Sequence, residues 1–174
     1  MSPSERKILI AVAAVAIFAA ATFSTSRVSP AAETMRGLVI GVQDGDTITV
    51  RTDDFEQIRV RFYGVDSPEK DQPHGKIAGD FLKKLVHGKK VDLEVMDIDR
   101  YGRHVCLVKL EGTLVNLVMV EKGHAWLYGA YCKSKNVCAR IGAAEGKAQK
   151  AGLGLWGNPD ATAPWDHRKN KRRK

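Results

Sequence analysis

The chain has 174 residues, which is enough for one domain with a hydrophobic core but short of the usual length of two domains. Its formal net charge of +8 is typical of proteins that bind nucleic acids, yet six of the basic residues stand in the last seven positions. Without those positions the formal charge would be about +2. The composition therefore excludes a uniformly basic surface over the globular part.

The first 31 residues have the pattern of a targeting segment. A short basic lead precedes an apolar run from Ile8 to Phe23, and small residues follow it. The run is longer than a minimal signal core but shorter than the roughly 20 residues that span a bilayer comfortably. A signal peptide cleaved after Ala21 or Ala31 and an uncleaved inner-membrane anchor formed by residues 8–23 both remain open. In either case we expect the rest of the chain to be exported, as a periplasmic or secreted protein.

Short alternating runs from Gly37 onward predict a β-rich domain. Turn-forming residues separate the first three runs, and two more runs follow a helical segment. The predicted strands are 37–43, 46–52, 57–65, 90–98 and 103–110.

Three helices are predicted around these strands. Apolar residues recur at three- and four-residue spacing between Gly75 and Gly88, which predicts the first helix. The second and third helices are predicted over residues 113–123 and 138–152, and each ends at a glycine. The order βββαββαα is compatible with an α+β, mainly β fold, a five-stranded barrel of the oligonucleotide-binding (OB) type with about three packed helices.

Residues 158–174 are predicted to form a basic, disordered tail. The stretch begins as a proline-containing polar run and ends in the basic cluster, and terminal runs of this kind are usually solvated. Two alternatives remain open. Trp165 could dock onto the domain, and the basic end could attract a polyanion.

The three cysteines suit an oxidising compartment. Cys132 and Cys138 are close enough in the chain to close a small disulfide loop, with two free thiols as the alternative. Cys106 lies in an apolar run and is expected to be a buried small hydrophobe. A zinc site is not indicated, because no cysteine pair has the short spacing of a zinc finger and no histidine pair is close by.

The residues with the clearest chemical potential lie in three charged segments at predicted strand ends or turns. These segments are 44–47, 61–69 and 99–103. If the first and third strands are neighbours in the barrel, Asp46 and Asp66 can face a common point. Two aspartates and the main-chain carbonyl of Ser67, which Pro68 would aim, make an oxygen-rich site suited to a hard cation such as Ca²⁺.

The same segments contain the groups that phosphodiester cleavage requires. Glu69 could activate a water molecule near the phosphorus, and Arg61 and Arg103 could bind the oxygens on which negative charge accumulates. A guanidinium binds two phosphate oxygens at once and stays charged, so lysine would be inferior at either position. Taken singly, each segment is more often an ordinary turn or a surface charge. Their joint presence in this order favours the chemical interpretation.

In combination, the runs DGDTITV, VRFYGVDSPE and DRYGR resemble the staphylococcal nuclease (thermonuclease) family. GTLVNLVMVEKGHAW and AEGKAQKAGLGLW are similar to that family's second and third helices. The resemblance extends from about Gly37 to Trp156 and implies a nuclease domain over residues 37–157. It further implies an oligonucleotide-binding barrel with endonuclease activity, which hydrolyses DNA and RNA with Ca²⁺ as cofactor and leaves a 3′-phosphate.

The resemblance also implies a metal site and a general base. By matching position, Asp46 and Asp66 would bind the calcium ion through their carboxylates and Ser67 through its main-chain oxygen. Asp44 would lie beside the metal without binding it. Glu69 would be the general base that acts through water.

The remaining roles implied by the resemblance concern the substrate. Arg61 and Arg103 would hold the phosphate and stabilise its transition state. Tyr101 and Tyr131 would line the nucleotide pocket, where an aromatic face can stack on a base, with simple packing as the alternative. The stretch 69–81 is shorter than in the family's best-known member, so the nucleotide preference does not carry over.

Two other functions remain open. A non-catalytic barrel that binds single-stranded nucleic acid would share the fold, but such a binder has little reason to keep three carboxylates and two arginines as a set. A role in envelope or polysaccharide assembly would predict no metal-dependent affinity for nucleotides, and nothing in the sequence supports it. We therefore expect a monomeric, exported nuclease that acts on DNA and RNA, with single strands preferred.

Overall fold

The computed structural model describes residues 34–173. The signal peptide or membrane anchor predicted for residues 1–31 lies outside the described residues. Within 34–173, no helix combines the length and the apolar character needed to cross a membrane.

Five of the strands form a closed barrel. In chain order, the strands are β1 (Thr34–Val42), β2 (Thr47–Thr52), β3 (Gln57–Phe62), β4 (Val65–Asp66), β5 (Lys90–Ile98), β6 (His104–Leu110), β7 (Thr113–Leu114) and β8 (Trp126–Leu127). The long strands pair in the order β3-β2-β1-β5-β6, and a parallel pairing of β3 with β6 closes the barrel. The prediction of a five-stranded, mainly β barrel of the OB type is confirmed.

Alternation along each strand decides which side chains enter the barrel. In β3, Ile58, Val60 and Phe62 are buried, whereas Arg59 is exposed and Arg61 is partly exposed. Because successive side chains of a strand point to opposite faces, Arg61 lies on the face away from the core. The largest inward residues, which form one contiguous core, include Val39, Ile48, Val50, Val60, Phe62, Leu82, Leu93, Met119 and Ile141.

Four helices complete the described part of the chain. They are α1 (Gly75–Val86), α2 (Val115–Glu121), α3 (Lys135–Lys150) and α4 (Pro164–Lys171). The first three lie where the sequence predicted helices. The prediction of a disordered tail over 158–174 is wrong for the residues of α4. Pro164 stands in the first turn of α4, where its missing N–H has no intrahelical partner to lose and its fixed φ suits a helix.

A buried asparagine joins α2 to the strands that carry the candidate site. The Asn116 side chain is fully buried, and its Nδ2 donates to the carbonyl oxygens of Tyr63 at 3.0 Å and Cys106 at 3.1 Å. Its Oδ1 accepts a hydrogen bond from the N–H of Val108 at 2.9 Å. These three bonds fix the turn between β3 and β4 against β6.

The loop before α3 is held at two points. Cys132 and Cys138 form a disulfide bond, with their Cα atoms 5.8 Å apart. The hydroxyl oxygen of Tyr63 accepts hydrogen bonds from the N–H groups of Lys133 at 2.6 Å and Ser134 at 2.8 Å. The loop is therefore tied both to α3 and to the residue that follows β3.

Candidate active site

Two predicted metal ligands and one predicted phosphate ligand come from neighbouring strands. Asp46 directly precedes β2, Arg61 lies in β3, and Asp66 ends β4. The antiparallel register of β2 and β3 places Thr47 opposite Arg61, which brings Asp46 beside the arginine. Asp46 and Asp66 do converge, as predicted, but the condition that the first and third strands are neighbours is wrong, because β2 lies between β1 and β3.

The guanidinium of Arg61 lies between the two aspartates. Its Nη1 is 2.5 Å from Asp46 Oδ1, and its Nη2 donates to Asp66 Oδ1 at 2.6 Å. The side chain of Asp66 is 2 % exposed, that of Asp46 6 % and that of Arg61 13 %. Burial alone would lower the pKa of Arg61, but the two aspartates outweigh it and raise that pKa. Buried charges of this kind persist only when they are paired.

Asp46 also joins the two loops that carry the site. Its Oδ2 accepts a hydrogen bond from the N–H of Ser67 at 2.6 Å, and its Oδ1 accepts one from the hydroxyl of Thr47 at 3.1 Å. The loops approach closely because residue 45 is glycine. A Cβ on Gly45 would lie 2.8 Å from the Cβ of Ser67 and 2.9 Å from that of Ala78.

Asp44 lies next to this pair, as the sequence predicted. Its Oδ1 accepts a hydrogen bond from the N–H of Asp46 at 3.1 Å. Burial, together with the negative charge of Asp46, raises the pKa of Asp44 to about 7. Burial also raises the pKa of Asp66, although its hydrogen bond to Arg168 and the charge of Arg61 oppose that change. Acidic groups whose charge is disfavoured in this way are typical of functional sites.

Glu69 is held by the backbone of its own loop. Its N–H donates to Gln72 Oε1 at 2.8 Å, and the N–H of Gln72 donates to the Glu69 carbonyl at 2.9 Å. A Cβ on Gly75 would lie 1.8 Å from the Glu69 carbonyl oxygen, so only glycine permits this tight loop. The Glu69 side chain is 38 % exposed, far more than the side chains of Asp46 and Asp66.

The structure adds one residue that the sequence analysis did not place in the site. Arg168, in α4, donates from Nη2 to Asp66 Oδ2 at 2.7 Å and from Nη1 to Glu69 Oε1 at 2.7 Å. Burial alone would lower the pKa of Arg168, but these hydrogen bonds raise it on balance. The one signal in the sequence was Trp165, recognised as a residue that could dock. Nothing in the sequence around Trp165 indicated that its docking would bring Arg168 to Asp66 and Glu69.

Arg103 lies apart from the buried aspartates. Its Nε donates to Asp99 Oδ2 at 2.7 Å, and its N–H donates to Asp99 Oδ1 at 3.0 Å. The parallel register pairs Arg61 with Val105, two residues beyond Arg103, so both arginines point to the same face of the barrel. Among residues 34–173, its hydrogen bonds and ion pairs do not reach Asp46 or Asp66.

The two tyrosines predicted to bind the nucleotide are exposed to solvent. Tyr101 and Tyr131 are each 65 % exposed. The guanidinium carbons of Arg100 and Arg103 lie 4.9 Å and 5.6 Å from the centroid of the Tyr101 ring. The Tyr101 hydroxyl raises the pKa of Arg100, and Tyr131 adds to this effect, so both tyrosines lie near one cation. Exposed rings flanked by guanidinium groups suit base stacking next to phosphate binding.

The donor chemistry of the site suits a hard cation. Within 34–173, no group of three or more histidine, cysteine, aspartate and glutamate side chains is arranged to hold a metal ion. The carboxylate cluster, which we define as Asp46, Asp66 and Glu69, offers only oxygen atoms. Its three negative charges exceed the two positive charges of Arg61 and Arg168. These features fit Ca²⁺ better than a metal that prefers nitrogen or sulfur, with Asp46 and Asp66 as the residues that would hold it.

The fold and the site define a class of protein, namely a small OB-type barrel with a carboxylate and arginine site beside exposed aromatic rings. Comparison with known proteins identifies the family within this class. The family described as "Staphylococcal nuclease homologue" matches residues 59–158. The chain belongs to this family.

Individual relatives agree with this assignment. An "Uncharacterized endonuclease" of Escherichia coli O157:H7 is 37 % identical over 138 residues, which cover 79 % of this chain and 87 % of the relative. A "Micrococcal nuclease" of Shigella flexneri is 35 % identical over 149 residues, 80 % of this chain and 84 % of the relative. The "Staphylococcal-like nuclease CAN1" of Arabidopsis thaliana is 42 % identical over 117 residues, 67 % of this chain but only 35 % of the relative. The chain thus spans about a third of the plant protein. Membership of the family and the names of these relatives support a nuclease.

Proposed function

We propose that the protein is a calcium-dependent endonuclease that hydrolyses DNA and RNA outside the cytoplasm. The observation that carries the proposal is the convergence of Asp46, Arg61, Asp66 and Glu69 at one place. Ion pairs of 2.5 Å and 2.6 Å join Arg61 to the two aspartates, and Glu69 is joined to Asp66 through Arg168, which pairs with both at 2.7 Å. Buried acids beside an arginine and a more exposed acid are the groups that phosphodiester hydrolysis requires.

In this proposal Glu69 is the general base. It accepts a proton from a water molecule as the water oxygen attacks the phosphorus. The bond from phosphorus to the 5′ oxygen of the next nucleotide breaks, and that oxygen takes up a proton. The products are a 3′-phosphate and a 5′-hydroxyl. General bases of this kind typically contribute about 10²- to 10⁴-fold to the rate.

The two arginines bind the phosphate. Arg61 is held rigidly by the aspartates, so its guanidinium is oriented before the substrate arrives. Arg103 points to the same face and would exchange part of its contact with Asp99 for the phosphate. Calcium, when bound by Asp46, Asp66 and the Ser67 carbonyl, would neutralise the negative charge of the phosphate and orient it.

The substrate and the setting follow from the remaining features. Tyr101 and Tyr131 would stack on bases, which are accessible in single strands, so we propose that single-stranded DNA and RNA are preferred. The N-terminal sequence supports export, with either a cleaved signal or a tether through residues 8–23. We propose that the exported protein acts as a monomer.

One observation favours a second candidate function. Arg168 pairs with both Asp66 and Glu69, so two of the proposed catalytic carboxylates are neutralised within the chain. A barrel in this state could bind single-stranded nucleic acid without cleaving it. Such a protein would keep its affinity for nucleic acid in the absence of a divalent cation.

Cleavage of defined substrates distinguishes the two functions. Protein expressed from the full chain would be incubated with circular single-stranded DNA and with end-labelled RNA, in Ca²⁺ or in a chelator, alongside Glu69→Gln. Calcium-dependent cleavage that falls sharply in the variant would support the endonuclease, and cleavage of the circle would establish internal attack. Binding without cleavage under any divalent cation would replace the nuclease with the non-catalytic barrel.

A further inference from the structure

The Glu69 carboxylate depends on one residue for its orientation. Asp66 is nearly completely buried and is also fixed by Arg61, whereas Glu69 lies in a loop and is 38 % exposed at its side chain. Among residues 34–173, Arg168 is the hydrogen-bond partner of the Glu69 carboxylate. Its two terminal nitrogens each lie 2.7 Å from an oxygen of a different carboxylate. Because the guanidinium contacts both carboxylates, the fixed position of Asp66 also restrains the orientation of the Glu69 carboxylate.

The segment that carries Arg168 is fastened to the loop of Glu69 at several points. Asp71 accepts hydrogen bonds from Lys171 at 2.7 Å and pairs with His167 at 3.2 Å. Gln72, whose Oε1 holds the N–H of Glu69, donates from Nε2 to the carbonyl of Thr162 at 3.0 Å. Glu69, Asp71 and Gln72 thus each contact α4 or the segment before it.

An aromatic contact one turn before Arg168 also holds α4. The rings of Trp165 and Tyr128 stack with centroids 5.2 Å apart and planes at 6° to each other. Tyr128 also packs against Tyr131, with centroids 4.7 Å apart. A stacked aromatic pair contributes to stability beyond the area it buries. The position of Arg168 is therefore built by side chains before and after it in α4.

The arginine leaves part of Asp66 available. A carboxylate offers about four lone-pair positions. Arg61 and Arg168 together direct three N–H donors at Asp66, and the contact from Arg168 Nη1 to Oδ1 is long, at 3.3 Å. Asp66 can thus keep Arg168 as a partner and still donate an oxygen lone pair to a cation.

We propose that Arg168 is a positioning residue of the nuclease site, which bridges Asp66 and Glu69 so that the Glu69 carboxylate is aimed at the attacking water. The inference rests on the proposed nuclease function. It extends the active site beyond residues 59–158, where the family match ends, to include α4. A general base that loses its orientation typically loses about 10²-fold in rate.

The test compares Arg168→Gln with Arg140→Gln in protein expressed from the full chain. Arg140 is an exposed arginine of α3 and undergoes the same substitution. At saturating Ca²⁺ we expect Arg168→Gln to lower kcat about 10- to 100-fold with KM for a single-stranded oligonucleotide within about threefold. Arg140→Gln should leave both constants within about twofold. If Arg168 had a purely structural role, Arg168→Gln would lower the amount of folded enzyme, and the folded fraction would keep the parental kcat and KM.

Two further variants keep the test decisive if Arg168→Gln folds poorly. Arg168→Lys retains the charge but loses the planar fork whose two terminal nitrogens each hold a different carboxylate, so kcat should still fall about tenfold. Guanidinium chloride at low concentration should restore turnover to Arg168→Ala, and sodium chloride of equal ionic strength should not. Parental kcat in Arg168→Lys, or no rescue by guanidinium, would overturn the proposal.

Calcium binding, measured by titration calorimetry without substrate, provides a readout independent of activity. A positioning role predicts that Arg168→Gln binds Ca²⁺ within about threefold of the parent, because Asp66 retains an available lone pair. Binding at least tenfold tighter, together with unchanged or higher turnover, would mean that Arg168 competes with the cation, and would overturn the proposal.

A parent that cleaves no substrate would defeat the nuclease function itself, whereas an active parent with an equally active Arg168→Gln would defeat only the positioning role.

Discussion

Asp66 is the residue on which most of the site depends. Its side chain is 2 % exposed and accepts hydrogen bonds from both Arg61 and Arg168. We expect Asp66→Ala to abolish calcium-dependent turnover and also to lower the free energy of unfolding by about 3 kcal/mol, because two partly buried guanidinium groups lose a partner. Urea unfolding monitored by tryptophan fluorescence would measure the change in stability.

The matched control for this prediction is Glu69→Ala. Glu69 is more exposed and makes one ion pair among residues 34–173, so its removal should change the free energy of unfolding by about 1 kcal/mol or less while turnover is lost. If Asp66→Ala unfolds at the same urea concentration as the parent, the buried ion pairs contribute nothing to stability and Asp66 is present for catalysis alone.

Arg103 should matter for its shape as well as its charge. Arg103→Lys keeps the charge but loses the planar fork that binds two phosphate oxygens, so we expect kcat/KM to fall about 10-fold or more. Arg100→Lys, in the same hairpin, is the comparison, since Arg100 is exposed over the Tyr101 ring and should lose about twofold or less. Steady-state kinetics on one oligonucleotide would measure both. Equal losses in the two variants would remove Arg103 from the phosphate site.

The residues of the site differ in how far they could be predicted from the sequence. Asp46, Arg61 and Asp66 could be selected from their charged segments, but the strand neighbours that bring them together were predicted wrongly, because β2 rather than β1 pairs with β3. The contact between Arg168 and Asp66 joins residues 102 positions apart in the chain. No local pattern encodes such a contact, and a run of basic residues at a terminus is usually solvated.

Among the elements, the three helices with clear apolar spacing could be predicted, whereas α4 could not. Helix α1 buries Ala78, Leu82 and Val86 on one side, which gives the sequence a helical period. In α4 the only buried residue is Pro164, and the rest of the helix is polar. Its position depends on individual contacts, such as the Trp165 stack and the Asp71 ion pairs, and these leave no periodic signal.

A pair of histidines connects α1 to the segment after α2 and gives the fold a pH dependence. His74 Nε2 and His124 Nδ1 are 2.9 Å apart, so one of these nitrogens donates a hydrogen bond and the other accepts it. The two nitrogens therefore cannot both carry a proton while the hydrogen bond is present. Burial lowers the pKa of His124 to about 4, and the neighbouring His74 adds to this change. Burial also lowers the pKa of His74.

The lowered pKa values make the protein less stable in acid. Between pH 6.5 and pH 4 the unfolded chain binds a proton at residue 124 and the folded protein does not, so the free energy of unfolding falls as the pH decreases through this range. Above pH 6.5 this contribution to stability is fully present. We expect a loss of about 1 to 2 kcal/mol by pH 4, since solvent screens part of the full effect. Urea unfolding at a series of pH values would measure it.

The variant His124→Gln is the control for the pH dependence. Glutamine can still donate to or accept from His74 but does not titrate, so the slope of stability against pH between 6.5 and 4 should become shallower. A slope that is unchanged in His124→Gln would assign the acid sensitivity to other groups, such as the buried aspartates of the site.

At the scale of the whole molecule, the basic residues near residue 170 form two groups, one that makes ion pairs within the fold and one that is exposed. Arg168 and Lys171 are paired with acidic residues of the 66–71 region, so their charge is used within the fold. Lys169, Arg172 and Arg173 are exposed, and in the described part of the chain their side chains make no ion pair. Because Arg168 of the same helix contacts the site, we expect these three cations to attract the backbone of a nucleic-acid substrate.

This division predicts how salt affects the reaction. Each cation that contacts a single-stranded backbone contributes about 0.7 to the steepness of log affinity against log salt concentration. Replacing Lys169, Arg172 and Arg173 with glutamine should therefore make the slope of log kcat/KM against log salt concentration shallower by up to about 2. The parent and the triple variant would be compared between about 50 and 200 mM salt. A dinucleotide, whose single phosphodiester would be held at the carboxylates and leave no further phosphate for these cations, should show nearly equal slopes for both proteins. If the long substrate also gives equal slopes, the end of the chain does not contact nucleic acid, and α4 acts only through Arg168.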